Sequence, residues 1–198
     1  MPSINRPYVL ADTEGEALWF LGNLVTVKAT GAQTRGRLTV AEFLNPAGFA
    51  PPLHRHLEED EMFYVLSGTA RFLCDGQELV AGPGGFVLLP RGLAHTFLVG
   101  SEEPLRCLQI TTPSGFEDFA AEVGAPAPER RLPDPTPLDP ATLGHAAARH
   151  HIEILGPPPG SHPDAKPHRA RLSSSRSTGA ATNWFGQKQD LRRAGYRA

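Results

Sequence analysis

His54 and His56 are separated by a single residue, Glu61 follows a short acidic run, and His95 lies beyond three further predicted strands. On an extended strand, side chains alternate faces, so His54 and His56 point one way and Arg55 the other. One strand can thus offer two imidazoles to a single ion. Glu61 shares a face of the next strand with Phe63 and Val65, and His95 shares a face of its own strand with Phe97 and Val99. Three imidazoles and one carboxylate form a mixed nitrogen and oxygen donor set. Such a set suits Fe, Mn, Ni, Co, Cu or Zn better than Ca or Mg. Four protein donors leave an open position on a five- or six-coordinate metal, where chemistry takes place. A closed structural zinc would lean on cysteine, and neither Cys74 nor Cys107 sits at ligand spacing to these histidines.

The elements that must position these residues are short strands broken by glycine, proline and acidic turns. Strands are predicted over Leu18–Ala29, Arg37–Leu44, Glu61–Leu66, Ala70–Cys74, Gln77–Val80, Phe86–Leu89, His95–Val99 and Leu105–Thr111. Asp75-Gly76 marks a two-residue hairpin, and Pro90-Arg91-Gly92 a second tight turn. After Pro113 the pattern changes. Phe116, Phe119, Ala120 and Val123 have helical spacing with Ser114 placed as a cap. A second short helix is expected over Pro140–Arg149, capped by Asp139 with Pro140 in its first turn. A brief apolar piece, Ile152–Leu155, follows.

The spacing matches two sequence motifs and identifies a resemblance to the cupin superfamily. Gly48, His54, His56, Glu61 and Gly68 fill every fixed position of G-x5-H-x-H-x4-E-x6-G. Gly84, Pro90, Gly92 and His95 fill those of G-x5-P-x-G-x2-H-x3-N, with Val99 standing where the family usually has Asn. That asparagine is not a family metal ligand, so its loss bears on a local hydrogen bond. The resemblance implies an all-β fold, a double-stranded β-helix or jelly-roll barrel, with short C-terminal helices and an irregular tail. The resemblance covers the barrel over residues 1–125, and the residue pattern beyond it predicts a helical extension packing on the barrel over 126–155 and a disordered basic tail over 156–198.

The stretches Glu61–Gly68, Pro90–His95 and Thr112–Phe119 further resemble single-domain bacterial cupins similar to quercetin 2,3-dioxygenase. That likeness implies a metal-dependent dioxygenase acting on a flavonol-like aromatic or enol substrate with dioxygen. Glu61 would be the catalytic base, and Phe63, Val65, Phe97 and Val99 the pocket walls. Core packing accounts for those four equally well. The same donors would also serve an isomerase or a non-catalytic small-molecule binding protein, and polar or positively charged walls would favour a sugar or acid.

Composition sets the remaining bounds. The 198 residues are 40% apolar and 20% charged, with a net charge of −2, which describes a globular protein and gives no reason to expect a nucleic-acid partner. No apolar run is long enough for a membrane span and no export signal is evident. The cytoplasm is therefore expected, with Cys74 and Cys107 as free buried thiols. Beyond Gly160, eight basic residues against two acidic ones leave a tail of about +6. It reads as a weakly selected extension rather than an arm for an acidic partner. The apolar Trp19–Val27 region suits either a homodimer edge or the chain's own core. The run Glu58-Glu59-Asp60-Glu61 taken alone reads as a solvated face, and His145, His150, His151, His162 and His168 read as ordinary partnered histidines.

Overall fold

The computed structural model describes residues 6–135 and 139–159. Its strands are β1 (Glu16–Phe20), β2 (Asn23–Ala29), β3 (Thr39–Asn45), β4 (Leu53–His56), β5 (Asp60–Ser67), β6 (Ala70–Cys74), β7 (Gln77–Ala81), β8 (Phe86–Leu89), β9 (His95–Val99), β10 (Leu105–Thr112), β11 (Ala125–Pro126) and β12 (Ile152–Gly156). Three helices accompany them: α1 (Gly31–Thr34), α2 (Phe116–Val123) and α3 (Pro140–Arg149). A seven-stranded sheet has the order β11-β1-β2-β3-β10-β5-β8, and a five-stranded sheet the order β12-β4-β9-β6-β7. Every pairing is antiparallel. This is the jelly-roll barrel expected of a cupin.

Period-two burial drives the sheets together. Alternate residues of β3 and β10 are buried along their whole length, which gives each strand one inward face of mixed apolar and polar residues. The inward faces meet in a single core, where Phe63 of one sheet lies 5.2 Å from Phe72 and 5.6 Å from Phe97 of the other, ring to ring. Gly68 closes the turn from β5 to β6 at φ +77, and a Cβ there would stand 2.5 Å from the Pro104 carbonyl oxygen. Both the positive φ and the close approach of backbone require glycine.

Local turn chemistry explains most boundaries. Asp75 and Gly76 have φ values of 48 and 74, as a two-residue hairpin of type I′ demands. Asp139 caps α3 by accepting from the Thr142 N–H, with proline in the first turn.

Three expectations change. Leu18–Ala29 is not one strand but the hairpin β1–β2, turned at Leu21 and Gly22 with φ values of 52 and 82. Leucine is a poor residue for positive φ, so the apolar run concealed the turn. Gly115, not Ser114, caps α2, and without a side-chain bond. Glu117 reaches back instead and accepts from the Gly115 N–H at 3.1 Å, which satisfies a free donor of the first turn. Residues 152–156 leave the helical extension to become β12, paired with β4 beside the two histidines.

Of the apolar residues considered for a dimer edge, Phe20, Leu24, Val25 and Val27 are buried within this chain, and Trp19 and Leu21 are half-buried. Cys74 and Cys107 are free and buried, and burial pushes the Cys107 thiol up to about 12. Among the described residues no helix is long and apolar enough to cross a membrane. The basic tail, with His162 and His168, lies outside the described residues.

Candidate metal centre

Strand register brings the four expected donors together. His54 of β4 is the register partner of His95 of β9, while Glu61 of β5 lies opposite Thr111 of β10. Their donor atoms all fall within 4.8 Å of one another, and among the described residues no other such group occurs. Arg55 points away as alternation requires, and its Nε donates to Glu153 on β12 at 2.7 Å.

Four hydrogen bonds lock the ligand-bearing segments. The Gly92 N–H donates to the His56 carbonyl at 2.7 Å. Arg91 grips the Asp60 carboxylate through its backbone N–H, its Nε and its terminal nitrogen at 2.9, 3.1 and 2.8 Å. These hydrogen bonds hold the Asp60 carboxyl down to about 2. The turn before β9 is thereby fixed to both β4 and β5.

Each imidazole is also oriented from behind. His54 Nδ1 lies 2.8 Å from the Pro52 carbonyl oxygen and His95 Nδ1 lies 2.9 Å from that of Leu93. A carbonyl only accepts, so both Nδ1 atoms carry the proton and both Nε2 lone pairs remain for an ion. His56 Nδ1 donates to Glu59 Oε2 at 2.8 Å, an arrangement in which a carboxylate raises ligand basicity. Burial pushes the His56 imidazole down, but the Glu59 hydrogen bond and the charge of Glu61 raise it above its ordinary value. Burial, with His95 beside it, holds His54 down to about 4. Burial opposes ionisation of Glu61, yet the imidazoles of His95, His56 and His54 bring it down to about 2.

These donors fit a metal. His95 Nε2 is buried with no hydrogen-bond partner among the described residues, although it lies 3.2 Å from Glu61 Oε2. His56 Nε2 lies 4.0 Å from Glu61 Oε1. Donors held about 2.0–2.2 Å from one ion are separated from each other by roughly 3–4 Å. An orphaned buried lone pair facing a carboxylate is costly unless something cationic joins them.

Glu59 is the residue that sequence reasoning missed. It sits in the acidic run, yet it and Glu61 are 7% and 4% exposed, so half of that run faces inward. The available signal was its position three residues beyond His56. Glu59→Ala is expected to weaken metal affinity by about 10–100-fold, with Glu59→Gln recovering part of the loss because its amide oxygen still accepts from Nδ1. Chelator competition on folded protein measures this, and unchanged affinity in both variants would reduce Glu59 to a packing residue.

Three of the four donors, His54, His56 and Glu61, open into a cavity lined also by Phe20, Phe43, Phe49, Phe97, Phe116, Phe119, Leu143 and Ile152, among others. Of the four expected wall residues only Phe97 is among these. Phe63, Val65 and Val99 face inward as their alternation requires, but they are packed in the core. Alternation sets the face. Depth along the strand decides the surroundings, and beyond Glu61 the space is filled by Phe72 and Phe97. His150 pairs with Glu122 at 2.7 Å and His151 lies 3.5 Å from Glu58, apart from the centre.

Comparison with known proteins agrees with the fold. Residues 42–111 match the family model described as the cupin domain. The chain carries a cupin domain over this segment. It is similar to quercetin 2,3-dioxygenase of Bacillus subtilis (strain 168), at 31% identity over 155 residues. That match covers 78% of this chain and 44% of the relative, so the chain spans less than half the length of that protein. Among solved structures, the polyketide cyclase RemF from Streptomyces resistomycificus aligns at 22% identity with a TM-score of 0.48, covering 55% of this chain and 81% of the other. A Thermotoga maritima protein described as a predicted oxalate decarboxylase aligns at 18% identity with a TM-score of 0.49, covering 54% and 99%.

Proposed function

We propose that this cupin is a metal-dependent dioxygenase acting on a flavonol-like aromatic or enol substrate, with His54, His56, Glu61 and His95 as the ligands of one divalent transition metal. The observation that carries this reading is the wall of the cavity into which the donors open. Aromatic and aliphatic side chains dominate it, and none of its described residues is Lys or Arg. A sugar phosphate or sugar acid needs a cation to offset its charge, so an isomerase of such substrates is the weaker reading. A flat apolar ring is suited to walls of this kind. The similarity to quercetin 2,3-dioxygenase supports the same class.

When bound, the metal supplies Lewis acidity and redox capacity at the open side of the donor set. The chain's own residues do the rest. Phe97, Phe116 and Phe119 exclude water and hold the ring near the donors. Glu61, the carboxylate on the cavity wall, takes the proton from an enolic or phenolic hydroxyl as general base. The Glu59–His56 pair and the two backbone carbonyls keep the imidazoles from turning as that proton moves. The free thiols support a cytoplasmic setting. A homodimer would draw on the exposed apolar side chains of β7 and β8, including Val80 and Phe86, rather than on the β1–β2 hairpin.

Oxygen uptake by protein loaded in turn with Fe, Mn, Ni, Co, Cu and Zn, against a panel of flavonols and enols, tests the reading. Uptake that depends on both metal and substrate is expected. No uptake under any loading would favour the isomerase or the non-catalytic binding protein.

A further inference from the structure

A second chamber lies outside the cavity at the donors. Five of its eleven lining residues are prolines, and the rest are glycine, alanine or larger apolar residues. Proline has no N–H to donate. Two of the proline carbonyls are already committed: that of Pro51 accepts from the Thr96 hydroxyl at 2.8 Å, and that of Pro52 lies 2.8 Å from His54 Nδ1. No lining residue has a charged or hydrogen-bonding side chain. A polar ligand group placed there would lose its water and gain no side-chain partner. The chamber suits an apolar occupant.

This chamber adjoins the donors. Leu21, Phe49, Pro51, Pro52, Leu143 and Ile154 line both spaces. Pro52 stands two residues before His54, about 7 Å of strand. Ile154 of β12 is the register partner of His54 of β4, and side chains so opposed share one face about 5 Å apart. Ile152 is paired in the same way with His56 and lines the inner cavity. β12 thus lays an apolar edge from beside two ligands to the outer chamber, where Ile154 is 36% exposed. A ligand held at the donors reaches the chamber with its next ring. Much of the wall comes from outside the segment that matches the cupin domain, since Leu21 precedes that segment and Pro140, Leu143, Ile154 and Pro157 follow it.

We propose that the outer chamber is the subsite for an apolar pendant ring of the substrate, and that Ile154, at the junction of the two spaces, sets what size of ring is admitted. This rests on the aromatic-substrate reading above and deepens it, because it names a substrate with one ring system at the donors and a further ring beyond. Proline faces are rigid before the ligand arrives, so little is lost in ordering them. A substrate without the further ring gains none of that burial. One that carries a charged group there is rejected, since nothing in the wall offsets the lost hydration.

Binding without turnover isolates this subsite. Full-length, zinc-loaded protein is titrated without oxygen, by fluorescence, with two probes: 3-hydroxychromone, and the flavonol that differs from it only by an unsubstituted phenyl ring. The flavonol is expected to bind about tenfold or more tightly, as burial of one phenyl ring would give. Ile154→Trp fills the junction and is expected to bring the two affinities close to equal. Ile154→Ser leaves the junction open with less apolar surface and is expected to lower the ratio by about threefold. Position 154 lies on an edge strand, which gives both side chains room, and melting temperature and zinc content identify the variants that fold. Equal binding of the two probes to the unsubstituted chain, a comparison that needs no variant, would overturn the proposal and leave the aromatic reading standing. A preference undiminished in whichever variant folds would also overturn it. If neither probe binds the unsubstituted chain, the aromatic reading fails and the outer subsite with it.

Discussion

Glu61→Gln is expected to lower turnover of whichever substrate the panel identifies by about 10²–10⁴-fold, the usual range for loss of a general base, and to lower metal affinity far less. The two effects separate because the amide keeps an oxygen donor in nearly the same place but has little affinity for a proton. The surroundings favour that separation. The three imidazoles are oriented by Pro52, Glu59 and Leu93, none of which depends on Glu61, so the remaining donors stay in position. Metal content by elemental analysis and kcat on the same preparation give the comparison. If the two fall by equal factors, Glu61 serves only as a ligand and the base must be sought elsewhere.

His95→Ala is expected to abolish the thermal stabilisation that metal confers. A ligand that binds only the folded chain stabilises it by about 2.7 kcal/mol at one hundred times its Kd, and for a domain of this size each kcal/mol raises Tm by about 2–4 °C. Metal should therefore raise the Tm of the unsubstituted chain by several degrees, and a chelator should reverse the rise. In the variant the pair β4–β9 loses the imidazole that faces His54, and Glu61 loses the neighbour 3.2 Å away. Affinity should fall by more than about 100-fold, beyond the effect of removing a residue that only supports a ligand. Melting curves with and without metal read this directly. An undiminished rise in the variant would place the ion somewhere other than among these four residues.

The legible parts of the molecule were those decided by neighbours in the chain. The H-x-H alternation, the Asp75-Gly76 hairpin and the Asp139-Pro140 start of α3 each follow from φ preferences, from period two or from a cap within a few residues. The four donors were legible through their joint spacing, which resembles the two cupin motifs. The β1–β2 turn was not, because Leu21 carries no turn chemistry and is held at positive φ by the two-residue link that the pairing of Phe20 with Asn23 closes. Ser114 looked like a cap by type, and Glu117 took the role because the fold brought its carboxylate back.

Sequence alone therefore indicated which face of most strands turns inward and which four residues could hold an ion. Tertiary structure decided how deep each one lies and what stands opposite. Phe63, Val65 and Val99 became core, Glu59 became the support of His56, and Ile154 came to stand opposite His54. Facing direction is a property of one strand's pleat. Depth and partnership depend on packing between segments far apart in the chain, about which no local pattern carries information.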